Sequence, residues 1–216
     1  MSGVTEQNKM RVMIWRMLGG AVVGAIGTGL FIAFVGKPHM DLENPANMLA
    51  IVAGVSYILI GLMVAVGLAS PKTGARYLNV EDAEELKEES PKLVPAAVVF
   101  ILTGIFLLIL AMSGTEAAAV VNRETTLITA GACLGGIVIA GWISAKRIDE
   151  LTRRMGQETA AATFQVTMLL LCVWGALAQL GYVAWLGPLG LLSLVALLQL
   201  LASFVIIAQK GMLMPR

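Results

Sequence analysis

The chain has 216 residues, 58% of them hydrophobic and only 13% charged, with a mean hydropathy of +0.84 and a net charge of +1. Soluble chains carry about twice that share of charge. The composition excludes a disordered chain, a nucleic-acid binder and a disulfide-stapled secreted scaffold.

A bilayer core about 30 Å thick takes about 20 apolar residues at ~1.5 Å rise per residue. Six stretches reach that length: 17–36, 47–69, 93–112, 126–145, 163–185 and 187–208, and none contains Asp, Glu, Lys, Arg or His. They predict an all-α integral membrane protein, a six-transmembrane-helix bundle with three outward-pointing helical hairpins, forming a single membrane domain over 1–216.

Taken in chain order, the first stretch follows Lys9 and Arg11 and is too long for a signal peptide. Gly36-Lys37-Pro38-His39 offers no small-x-small cleavage site, so the segment reads as a retained signal anchor. Gly20, Gly24 and Gly27 form a small-residue stripe along it. In the loop that follows, His39, Asp41 and Glu43 alternate but read as solvated rather than as metal ligands. The second stretch repeats the small-xxx-small pattern at Ala50/Gly54 and Gly61/Ala65 and carries Tyr57.

Loop 70–92 holds Glu81, Asp82, Glu84, Glu85, Glu88 and Glu89, with Asn79 as a helix N-cap and Pro91 as a helix stop. It predicts a short solvated helix ending before the third span. The fourth span carries Gly131/Gly135 and Gly136/Ala140. Lipid tails provide no hydrophobic drive for helix association, so close backbone approach across small residues must supply it. Gly20, Gly24, Gly27, Gly54, Gly61, Gly131 and Gly135 are therefore the expected helix-packing positions.

Segment 146–162 keeps a helical pattern, with Ile148, Leu151 and Met155 on one stripe. Lys146/Glu150 and Asp149/Arg153 have i,i+4 spacing, and Gly156 reads as a C-cap. These features predict that the fourth and fifth helices extend beyond the membrane as a cytoplasmic helical hairpin. Ile148, Leu151, Arg153, Arg154 and Met155 would form its partner surface.

Gly187-Pro188 divides the last long apolar run into a tight hairpin. Trp174 and Gln199 fall at matching depth and are expected to meet across it, with the indole or the amide satisfied between the two helices. Gln165, Cys172 and Gln179 recur at heptad spacing on the fifth helix. Together with Tyr57 they outline a candidate polar path. Cys133 and Cys172 differ in depth and are expected as free thiols.

Thirteen of the fifteen Lys and Arg residues lie in the termini and the second and fourth loops, leaving Lys37 and Arg123 on the other side. That asymmetry predicts both termini in the cytoplasm. The chain has no Asn-x-Ser/Thr sequon, which fits a bacterial inner (cytoplasmic) membrane. It has no Walker A, dinucleotide, Gly-x-Ser-x-Gly, Cys-x-x-Cys or His-Glu-x-x-His motif, so no catalytic residue, cofactor or metal site is expected. The expected function is a non-catalytic membrane scaffold or accessory subunit. Its partners would be the lipid bilayer and other membrane subunits or further copies of itself. The alternative is a carrier or binder of a neutral or lipid-like molecule along the fifth helix.

Overall fold

The computed structural model describes residues 19–37, 42–70, 74, 83–113 and 121–210. Asn79, Glu81, Asp82, His39 and Asp41 lie outside them. The described residues form six helices long and apolar enough to cross a membrane: α1 (Gly19–Gly36), α2 (Pro45–Ala69), α3 (Ala83–Met112), α4 (Arg123–Ala145), α5 (Glu150–Gln179) and α6 (Pro188–Gln209). The protein is an all-helical, multi-pass membrane protein.

Local sequence sets where the helices begin. Asn44 accepts the Ala46 N–H at 3.0 Å ahead of Pro45, and Asn122 accepts the Glu124 N–H at 3.2 Å. Asp149 accepts the Thr152 N–H at 2.8 Å. Pro188 opens α6, where its missing N–H would have been unpaired in any case. The last turn of α1, Ile32–Gly36, is a π-helix, closed by the Lys37 N–H on the Ile32 carbonyl.

Packing places the helices in the order α4–α3–α2–α6–α5, with α3 also touching α6. The centre of this row is α2. Ile51 and Val55 of α2 pack with Leu108 of α3, covered by Phe31 and Ile32 of α1. The phenol of Tyr57 donates to the Ala196 carbonyl of α6 at 3.1 Å, and its ring lies 5.4 Å from that of Phe100 on α3. One side chain thus joins three helices.

Five expectations are corrected by these elements. Pro91 does not stop a helix: α3 runs through both Pro91 and Pro95 into the apolar span. A proline leaves the carbonyl four residues earlier without its N–H partner. Here both orphans are met from elsewhere. The Ser90 hydroxyl donates to the Lys87 carbonyl at 2.7 Å, and Nη1 of Arg147 donates to the Pro91 carbonyl at 3.1 Å.

Nor do α4 and α5 extend together as a hairpin. The fourth helix ends at Ala145, and Asp149 caps a new helix after a turn of four residues. Gly156 lies inside α5 rather than at a C-cap. The ion pair in this segment is Glu150–Arg154 at 3.2 Å, in place of the pairs expected from Lys146/Glu150 and Asp149/Arg153. Lys210 at the end of α6 meets Glu158 at 2.8 Å, so residues 150–157 of α5 precede that tie.

The last hairpin turns earlier than Gly187. The Gly181 N–H donates to the Ala178 carbonyl and the Tyr182 N–H to the Leu177 carbonyl, both at 3.0 Å. That paired closure requires a left-handed residue, and Gly181 supplies it with φ of 79°. Tyr182 and Trp185 therefore lie in the connection and not on α5.

Candidate functional site

The glycines separate into a closed contact and an open face. Between α2 and α3 the backbones approach so closely that side chains are excluded. A Cβ at Gly104 would fall 2.5 Å from the Gly54 carbonyl oxygen, and one at Gly61 would fall 3.1 Å from the Ala97 carbonyl. At Gly54 it would lie 2.8 Å from the Leu108 side chain, and at Gly27 of α1 it would reach Leu59 at 2.9 Å. Around Gly20, Gly24, Gly131 and Gly135, by contrast, an added Cβ meets nothing within 4 Å. Gly131 and Gly135 lie on a face of α4 that also exposes Ile128, Val138 and Ile139. Gly136, one residue on, turns toward Leu102 of α3.

The polar residues of the spans do not converge. Tyr57 is buried among α2, α3 and α6, whereas Gln165, Cys172 and Gln179 are exposed along α5. The buried stripe of α5 is instead Thr159, Thr163 and Thr167. Thr163 returns its hydroxyl to the Thr159 carbonyl at 2.8 Å, a bond that lets a polar residue sit inside a helix contact. The Thr167 and Thr126 hydroxyls are buried without a hydrogen-bond partner among the described residues. The four-residue threonine spacing was the sequence signal for this face.

Trp174 meets a different partner from the expected one. Its indole N–H donates to the Ala184 carbonyl at 3.1 Å, within the connection that follows Gly181. Trp185 of the same connection folds back toward Gly175. Gln199 is half-buried, and its backbone carbonyl accepts the Ser203 hydroxyl at 2.8 Å. The indole is thus satisfied before the chain reaches α6. Cys133 is buried and Cys172 exposed, both as free thiols.

A second polar group lies where α4 turns into α5. The Lys146 ammonium sits 3.9 Å from the centre of the Trp142 ring, a cation–π contact at the helix end. Arg147 is held by the Pro91 carbonyl, and Lys92, one residue on, pairs with Glu89 at 2.8 Å. Ile148 in the turn and Met155 in α5 are half-buried, while Leu151, Arg153 and Arg154 of α5 are exposed. Among the described residues no three His, Cys, Asp or Glu side chains come together as metal ligands would.

Hydrogen bonds from Thr152, through its side chain and then its backbone N–H, hold the Asp149 carboxyl below the ordinary carboxylate range, and the Lys92 charge adds to this. A lowered folded-state value means that the cap stabilises above the ordinary range and is lost as pH falls through it. Acidification below about pH 4 should therefore weaken the start of α5. Asp149→Asn keeps an N-cap but does not titrate, so its thermal stability in detergent should fall less steeply than wild type over that window.

No family model, no curated protein and no solved structure matches this chain.

Proposed function

We propose that this protein is a non-catalytic scaffold or accessory subunit of a membrane assembly, and that it works through helix contact. The observation that carries the reading is the contrast between its two kinds of glycine face. At Gly54, Gly61 and Gly104 close backbone approach is used up inside the chain, while Gly131 and Gly135 on α4 present the same small-residue spacing with no neighbour within 4 Å. The first turns of α5, with Leu151, Arg153 and Arg154 exposed, supply a second contact outside the apolar region. The spans carry no Asp, Glu, Lys, Arg or His, the groups on which proton relays and ion-coupled transport usually depend.

The partner is another membrane subunit or a second copy of the chain. Extraction in mild detergent should give a particle heavier than the 22.8 kDa chain with its bound detergent. A bare monomer under every mild condition would contradict the proposal.

The same reading places both termini in the cytoplasm and the protein in a bacterial inner membrane, on the Lys and Arg asymmetry. With Cys133 and Cys172 replaced by Ala, a cysteine at Arg123 should react with a membrane-impermeant maleimide in intact cells. One at Arg154 should react only after permeabilisation. The reverse pattern would invert the orientation.

A further inference from the structure

Two facts about the α4–α5 turn have no role in the helix contacts above. Trp142, 65% exposed, lies in the last turn of α4, and an indole at the end of an apolar span settles at the membrane interface. Lys146 stacks on its ring, so the ammonium is held at the level of the lipid headgroups. Arg147, the next residue, is fixed by the bond from Nη1 to the Pro91 carbonyl. That carbonyl is available because Pro95, four residues on, has no N–H to offer it.

A neutral carbonyl positions the guanidinium without cancelling its charge. It leaves the Nε and Nη2 edge of the planar fork for an acceptor with two oxygens in one plane. The nearby carboxylates are engaged elsewhere: Asp149 accepts from Thr152, Glu150 pairs with Arg154 and Glu89 pairs with Lys92. Among the described residues, Lys146 and Arg147 form no ion pair.

We propose that this turn binds the phosphate of an anionic phospholipid, with Arg147 as a pre-positioned fork, Lys146 as the second cation and Trp142 as the wall beside the glycerol and upper acyl chain. Phosphate oxygens match the guanidinium edge, and the apolar ring beside the ammonium suits an amphiphile better than a free ion. Pro95 is a positioning residue that acts through the Pro91 carbonyl.

The test uses the full-length protein in mild detergent, with bound lipids counted by native mass spectrometry. Phosphatidylglycerol and phosphatidylcholine with identical acyl chains are the probes. Wild type should retain the anionic lipid about thirtyfold better, the scale expected for two cations at a headgroup. Arg147→Gln should remove most of that preference. Pro95→Ala changes no charge and gives the helix an N–H it can use, yet it should reduce the preference by about fivefold, because the Pro91 carbonyl returns to the helix ladder. Lys87→Gln, a loss of charge in the first turns of α3, should leave the preference largely intact. Equal retention of both lipids by wild type would overturn the proposal. So would an unchanged preference in Pro95→Ala, which would make the attraction one of bulk charge, or displacement of the lipid by millimolar inorganic phosphate, which would assign the site to a free anion.

Discussion

Gly104→Val should be among the most destabilising single changes in the chain, lowering the thermal midpoint in detergent by about 5–10 °C. The first carbon of any side chain at this position would fall 2.5 Å from both the Gly54 carbonyl oxygen and the Ile58 Cγ1. Neither neighbour can yield cheaply, because the carbonyl belongs to the α2 backbone and Ile58 packs on the central cluster. Relief requires α2 and α3 to move apart, which breaks the Ile51–Val55–Leu108 contact and the seat of Tyr57 against Phe100. Gly131→Ala provides the internal comparison. An added Cβ there meets nothing within 4 Å, and alanine is the better helix former. Its midpoint should stay level or rise slightly. Equal losses from the two variants would show that the α2–α3 approach is not the central contact of the fold.

The second large effect is expected on association. Gly131→Leu combined with Gly135→Leu fills the open face of α4 with two branched side chains, at positions where an added Cβ meets nothing within 4 Å. The thermal midpoint of the monomer should hardly change. Binding to the partner should weaken by at least tenfold, since two leucines prevent the backbone approach that small residues permit. Val66→Leu on α2 and Val205→Leu on α6, at exposed apolar positions away from this face, should leave association near wild type.

The six spans were legible because span length and the exclusion of charge are imposed by the bilayer and require no knowledge of neighbours. The start of α6 at Gly187-Pro188 was legible for the same local reason, whereas the caps at Asn44 and Asn122 emerged only with the structure. What failed depended on distant residues. Pro91 reads as a stop until Ser90 and Arg147 are seen to satisfy the carbonyls that the two prolines release. The extension of α4 and α5 as a pair was overruled by Asp149, whose capping bond starts a new helix four residues after Ala145.

The candidate sites divide along the same line. Gly54 and Gly61 were visible as small residues, but Gly104, which completes their contact, belongs to no small-xxx-small pair of glycines in the sequence and is found only through its approach to Gly54. The amide stripe of α5 was a correct periodicity assigned to the wrong face. Threonines fill the buried side, because each can return its hydroxyl to its own helix, as Thr163 does. An exposed glutamine needs no such partner when it lies near the end of a span, as Gln179 does.

The most direct measurement of the central claim is the mass of the particle released from native membranes into polymer-bounded discs, without detergent, for wild type and for the Gly131→Leu/Gly135→Leu variant. The wild-type particle should hold a second protein chain, and the variant particle should have lost it while keeping its helical content. A wild-type particle with one copy of this chain and lipid alone, or a variant that retains the partner undiminished, would contradict it.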